Sequence, residues 1–226
     1  MSAVKECYEV TGSRVDWARR IVGKEQWLLT KEIDVAIPIY HWSRVFEYPW
    51  IMMCGHFKAG QWVLDAGGGD SPLQSFIAKQ AAQVINIDLD PFYQREQAAE
   101  RKYVVLVKGD IRELPFLDNV LQRVVCVSVL EHMEGPLRAV QELWRVLAPG
   151  GRLLITMDIA NYARYNHTID QSLAEGILAL FGLKLPQQPQ DILQMTFPAI
   201  DMKPGDPEEV SSHVLCFYCD KPLSDR

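Results

Sequence analysis

Long apolar runs are missing from this 226-residue chain. No stretch of about 18 apolar residues occurs, so a membrane-spanning helix is not expected. The opening MSAVKECYEV has no apolar core of the kind a secretory signal carries, and the chain is expected in the cytoplasm. Basic residues are also in deficit, with Lys+Arg 23 against Asp+Glu 29 and a net charge of -6. Contact with a phosphate backbone needs a basic face, so nucleic acid is not expected as the main partner. There are 5 cysteines, an odd number that suits reduced thiols better than a disulfide framework. Cys216-Phe217-Tyr218-Cys219 spells C-x-x-C, yet no second Cys or His pair stands at zinc spacing, and on a strand the two thiols would face opposite ways. No metal is therefore expected. Internal repeats and low-complexity tracts are absent too. An apolar share of 48% in a chain of this length fits one compact domain spanning 1–226.

Within that domain three regions differ in pattern. Residues 1–58 read as a helical and aromatic arm, with a helical stretch at Val15 to Ile21 and an aromatic segment from Tyr40 to Trp50. From 59 to 156 strands near 63, 84, 104, 124 and 152 alternate with helical stretches at Leu73 to Gln80, Phe92 to Glu100 and Pro136 to Leu147. Alternation of that kind predicts a parallel sheet wrapped by helices on both faces. Residues 157–226 elaborate on this core, with a helix predicted over Asp170 to Phe181, a loop around Leu185 to Gln190, and a closing strand at His213 to Cys219 that can pair antiparallel.

Val63-Leu64-Asp65-Ala66-Gly67-Gly68-Gly69-Asp70-Ser71-Pro72 reads as a buried strand, a glycine turn and a helix start. Glycines permit positive φ and leave no Cβ under a ligand, and the helix start behind them offers unpaired N–H groups. Val84-Ile85-Asn86-Ile87-Asp88 then places a carboxylate at the end of a second strand, where a βαβ unit offers an acceptor to ribose hydroxyls. An adenosine-containing ligand is implied. A dinucleotide fingerprint would need Gly or Ala where Pro72 stands, and Asp65 beside the turn would repel a pyrophosphate. A nicotinamide-dependent oxidoreductase is therefore the weaker reading.

Asp65-x-Gly67-x-Gly69 resembles motif I of the class I S-adenosylmethionine-dependent methyltransferases, of the small-molecule methyltransferase type 11 kind. The resemblance continues through Asp88-Leu89-Asp90-Pro91, Gly109-Asp110-Ile111 with Leu114-Pro115-Phe116-Leu117-Asp118-Asn119, Leu130-Glu131-His132 after the fourth strand, and Arg145-Val146-Leu147-Ala148-Pro149-Gly150-Gly151 before the fifth. Two positions depart from the family pattern: Ser71 stands where a third glycine is common, and Leu121-Gln122 where Phe-Asp is usual. Ser71 can instead cap the helix that follows.

The resemblance implies a Rossmann-like, doubly wound, mostly parallel seven-stranded sheet whose last strand is antiparallel, preceded by the helical arm. It implies S-adenosyl-L-methionine as cofactor, S-adenosyl-L-homocysteine as product, and a small-molecule acceptor. Its motifs place cofactor contacts at Asp65, Gly67, Gly69, Asp88, Leu89, Asp110, Ile111 and Ser128. Asp88 would take the ribose, Asp110 the adenine amino group, and the Ile111 backbone the ring edge.

The arm has two readings. Its aromatics are either core packing or a cover over the cofactor, in which case Tyr40, Arg44 and Trp50 would close on it, with Arg44 holding its carboxylate. For catalysis His132 and Asp158 are candidate proton acceptors, while Asn161, Tyr162 and His167 either face the acceptor or belong to a solvated loop. A cofactor-binding partner subunit without catalysis is the alternative, since acceptor and cofactor sites can be lost independently.

Overall fold

A computed structural model of the chain describes residues 44–69, 71–80, 83–89, 104–159, 170–185, 193–198 and 209–223. The helices expected at Val15 to Ile21 and Phe92 to Glu100, the loop residues 186–190, and Tyr40, Asn161, Tyr162 and His167 lie outside these. The described elements are α1 (Arg44–Gly55), β1 (Trp62–Ala66), α2 (Leu73–Gln80), β2 (Gln83–Asp88), β3 (Val104–Lys108), β4 (Leu121–Val127), a short 3₁₀ turn (Leu130–His132), α3 (Pro136–Val146), β5 (Leu147–Ile159), α4 (Gln171–Ala179), β6 (Leu193–Pro198) and β7 (Glu209–Asp220).

The strands form one mixed sheet in the order β3-β2-β1-β4-β5-β7-β6. Strands β1 to β5 pair in parallel, and β7 runs antiparallel to both β5 and β6. The chain steps outward from β1 to β3 and then returns to the other side of β1 as β4. Beyond the carboxyl ends of β1 and β4 the reversal leaves a crevice, the place where open α/β sheets bind ligands.

Side-chain alternation explains why both faces are covered. Leu64, Ile85, Val124, Leu153 and Phe217 belong to one core cluster with Ala139, Leu143 and Ile177 of α3 and α4. Their strand neighbours Val63, Val84, Val125 and Leu154 belong to the other, with Ile51 of α1 and Ile77 of α2. In α3 the buried positions Pro136, Ala139, Val140, Leu143 and Val146 follow helical spacing, Gly135 before it is left-handed at φ 69°, and Pro136 fills the first turn. The helix ends at Val146, and the Pro149-Gly150-Gly151 segment bulges out of the β4 pairing, which jumps from Leu121↔Leu147 to Arg123↔Arg152.

The arm's aromatic segment forms α1 and packs inward. Trp50 is 3% exposed and lies 6.5 Å, centroid to centroid, from Tyr218. Of the two readings of the arm's aromatics, Trp50 follows core packing and not a cover over the cofactor: its indole is part of the core. The carboxyl end of α1 is held by arginines, which suit the negative end of a helix dipole. Arg123 Nε donates to the Gly55 carbonyl at 2.7 Å and Arg152 Nη1 to that of Cys54 at 2.6 Å. With its far end anchored there, α1 brings Arg44, Glu47 and Tyr48 to the ligand edge of the sheet. On β7, Cys219 belongs to one core cluster and Cys216 packs against the other, the opposite-face arrangement a strand imposes.

Candidate functional site

The glycine turn is fixed from below by side chains of α2 and β2. Gly67 donates its N–H to the Ile87 carbonyl at 2.7 Å, Asn86 Nδ2 donates to the Gly69 carbonyl at 2.9 Å, and Gln74 Nε2 reaches the Gly68 and Gly69 carbonyls at 3.2 Å. Asn86 and Gln74 are fully buried. Gly67 has φ 71°, and a Cβ there would lie 2.5 Å from Val129 Cγ1, so only glycine fits. Ser71 caps α2, its Oγ accepting from the Leu73 N–H at 3.1 Å while meeting the Tyr48 hydroxyl at 2.8 Å.

Above the turn opens a cavity of about 470 Å³ at the carboxyl ends of β1 to β4. It brings together Gly67, Asp88, Leu89, Asp110, Ile111, Ser128 and His132 of the sequence-derived residues. Gly69, Asp65, Arg44 and Asp158 do not line it. Gly69 instead gives its N–H to Asp88 Oδ2 at 3.1 Å, orienting that carboxylate. Asp65 is 1% exposed and sits under the turn, where a Cβ on Gly68 would fall 2.1 Å from its Oδ2. In this structure Asp65 and Gly69 support the turn.

Arg112 engages the carboxylate of Asp110. Its Nε and Nη2 take both oxygens at 3.0 and 2.6 Å, and its backbone N–H adds a bond to Oδ1 at 2.8 Å. Those bonds hold the Asp110 carboxyl below its usual range. Arg112 is also a wall of the cavity, so an adenine amino group would share Asp110 with it. The loop after Asp110 is held by Arg145, whose guanidinium reaches the Phe116 carbonyl at 2.8 Å and Asp118 Oδ1 at 2.7 Å, and by Glu142, which accepts the Leu114 N–H at 2.9 Å.

Ser128 joins the cavity to a buried polar cluster. It sits at φ 48° on the exit of β4, lines the cavity, and donates its hydroxyl to Glu47 Oε1 at 2.6 Å. Thr156 of β5 also donates to that oxygen, and Arg44 Nη1 pairs with Oε2 at 2.5 Å. Burial alone would raise the Glu47 carboxyl, but Arg44 and the two hydroxyls outweigh it and keep it ionised. Arg44 thus has a protein carboxylate as a partner. Beside this pair, Glu131 Oε1 accepts the Asp158 N–H at 3.1 Å. Burial, then the nearby Asp158 charge, pushes the Glu131 carboxyl up to about 8, and burial followed by the Glu47 charge raises Asp158 as well.

The model of the methyltransferase domain family matches residues 64–155, the segment that supplies the turn, the cavity and both carboxylates of its walls. This match, the named relatives and the solved neighbours support the class I S-adenosylmethionine-dependent methyltransferase superfamily. It is 34% identical over 116 residues to a protein of Mycolicibacterium smegmatis named a probable S-adenosylmethionine-dependent methyltransferase, covering 51% of this chain and 45% of that one. It is 34% identical over 102 residues to the demethylmenaquinone methyltransferase of Thermobifida fusca, covering 43% of each. The chain therefore spans less than half the length of these two relatives. A solved S-adenosylmethionine-dependent methyltransferase from Aquifex aeolicus shares the fold, with a TM-score of 0.52, 17% identity and coverage of 83% of this chain and 98% of that one.

In this methyltransferase domain, sequence reasoning missed Asn86, Gln74, Arg112, Glu47, Thr156 and Glu131. Asn86 carried a signal, a polar residue inside an apolar strand. Glu47 carried another, an acid amid the aromatics of α1. Arg112 and Thr156 carried none, because their partners depend on tertiary placement. Among the described residues no helix is long and apolar enough to cross a membrane.

Proposed function

We propose that the chain transfers a methyl group from S-adenosyl-L-methionine to a small-molecule acceptor, chiefly by holding the two in line. The observation that carries this is the cavity at the sheet's switch point, with Asp88 on one wall, Asp110 and Ile111 on another, and the Gly67 turn beneath. Asp88, oriented by the Gly69 N–H, would accept ribose hydroxyls, and a charge-assisted bond of that kind contributes roughly 1.5–3 kcal/mol. Asp110 and the Ile111 backbone would meet the adenine edge, with the exposed Leu89 side chain against the sugar or base. Gly67 presents bare backbone to the cavity, which fits a ligand passing close to it. Bound in this way, the cofactor supplies an electrophilic methyl carbon on a sulfonium, open to attack from the side away from sulfur.

The protein's share of the work is alignment, which can contribute on the order of 7–11 kcal/mol. Asp65 and Glu47 add negative field near a cationic ligand. His132 lines the cavity, and Asp158 is the last residue but one of β5; either can take a proton if the acceptor must lose one. A small-molecule acceptor agrees with the name of the Thermobifida fusca relative. The test is transfer of label from methyl-labelled cofactor into a small-molecule fraction, followed by mass analysis. Labelled product at an unchanged protein mass supports the reading; cofactor binding with no transfer to any fraction favours a non-catalytic binder.

A further inference from the structure

Behind the cavity wall lie two carboxyl oxygens with nothing to accept. Glu131 Oε2 and Asp158 Oδ1 are both buried, and among the described residues neither has a hydrogen-bond partner. Glu131 is 7% exposed, and its other oxygen is held by the Asp158 backbone N–H. Buried acceptors in folded proteins almost always find a donor. Two orphaned ones on the exits of neighbouring strands describe a place for a donor group that the described residues do not supply.

The position is on the acceptor side. Val127 pairs with Thr156, so Ser128 and Asp158 both stand at the carboxyl edge of the sheet, and Ser128 already lines the cavity. Thr156 and Asp158 share one face of β5, toward the amino end of α1. Among the described residues, the charged and titratable groups around the pair are Arg44 and Glu47 from α1 and Cys126 from β4. Arg44 is the sole cation among these, and Glu47 holds it at 2.5 Å. Among the described residues the cluster is short of positive charge.

We propose that Glu131 and Asp158 form an ammonium subsite, so that the acceptor is an amine that enters protonated and gives its proton to the Asp158 carboxylate. The balance is R–NH3⁺ plus Asp158 carboxylate giving R–NH2 plus Asp158 carboxylic acid, which leaves the nitrogen lone pair that methylation needs. Charge selects the amine over a hydroxyl. An amine passes from cation to neutral beside these acids, whereas a hydroxyl would become an anion among them and be repelled. Glu131 is the positioning residue, fixing Asp158 through its backbone N–H, and Asp158 is the catalytic residue. The inference rests on the methyltransferase reading for its role, but not for its test.

The test compares n-butylamine with n-butanol, probes of equal shape, titrated at pH 7 into the full chain with and without S-adenosyl-L-homocysteine. Butylamine should bind at least tenfold more tightly than butanol. The near-isosteric Asp158→Asn should erase that preference while leaving S-adenosyl-L-homocysteine affinity within twofold. Equal affinity for the two probes in the wild-type protein, a comparison that needs no variant, overturns the proposal. So does an amine preference that survives Asp158→Asn. Loss of S-adenosyl-L-homocysteine binding alongside an intact amine preference counts against the cofactor reading alone.

Discussion

Replacing Glu47 with alanine should cost more stability than any other single polar change at the ligand edge. The carboxylate is fully buried and gathers three partners: Arg44 at 2.5 Å, the Ser128 hydroxyl at 2.6 Å, and Thr156. Removing it strands a guanidinium whose side chain is only 16% exposed, and the loss of one partner of a buried pair costs roughly 3–5 kcal/mol. For a domain of this size that corresponds to a Tm drop of about 6–20 °C. Urea unfolding with linear extrapolation measures the change directly. The double change Arg44→Met with Glu47→Met removes both charges and should recover most of the loss, because a buried pair gains little over well-packed apolar side chains. Since its pKa is held down in the folded state, Glu47 contributes stability above the unfolded carboxylate range, and that stability is lost as pH falls through the lowered folded value. The wild-type protein should therefore lose more stability on acidification than the Met–Met variant. A cost under about 1 kcal/mol for Glu47→Ala, or no recovery in the double variant, would refute the reasoning.

Three further outcomes are expected. Glu131 has the opposite sign: its folded pKa is raised to about 8, so its stabilising contribution is present below the unfolded carboxylate range and is lost as pH rises through about 8. Glu131→Gln should flatten the alkaline limb of the stability profile measured by denaturation from pH 6 to 9. Gly67→Ala places a Cβ 2.5 Å from Val129 at φ 71°, so ligand affinity should fall at least tenfold; adding Val129→Ala relieves the clash but not the backbone strain and should recover only part, as read by calorimetry. Arg145→Met cuts the tie to the Phe116 carbonyl and to Asp118, and hydrogen exchange of residues 114–118 should speed up while that of β4 does not.

The fold was legible because its signals are local. Apolar runs at 63, 84 and 124 have the length and burial of central strands, and the 3.6 period over Pro136 to Val146 could be nothing but a helix against them. The cavity-lining set was legible for a related reason: Gly67, Asp88, Asp110 and Ser128 sit at strand ends, where the topology itself aims them. What the sequence concealed is who holds whom. Whether Arg44 serves a ligand or a neighbour depends on Glu47, one helical turn away, and on hydroxyls 81 and 109 residues distant. Asp65 reads the same whether it touches a ligand or lies beneath the turn. Asp110 gives no sign in sequence that Arg112 will fold back on it, because the pair is set by the turn between them rather than by any pattern.

The central claim is that the cavity over Gly67 takes an adenosyl amino acid rather than a dinucleotide. Calorimetric titration of S-adenosyl-L-homocysteine and of NADH into the wild-type chain and Asp88→Ala tests it most directly. Binding of S-adenosyl-L-homocysteine to the wild type, at least tenfold weaker binding to Asp88→Ala, and no heat from NADH is the predicted result. Unchanged affinity in Asp88→Ala, or NADH bound in place of S-adenosyl-L-homocysteine, would contradict it.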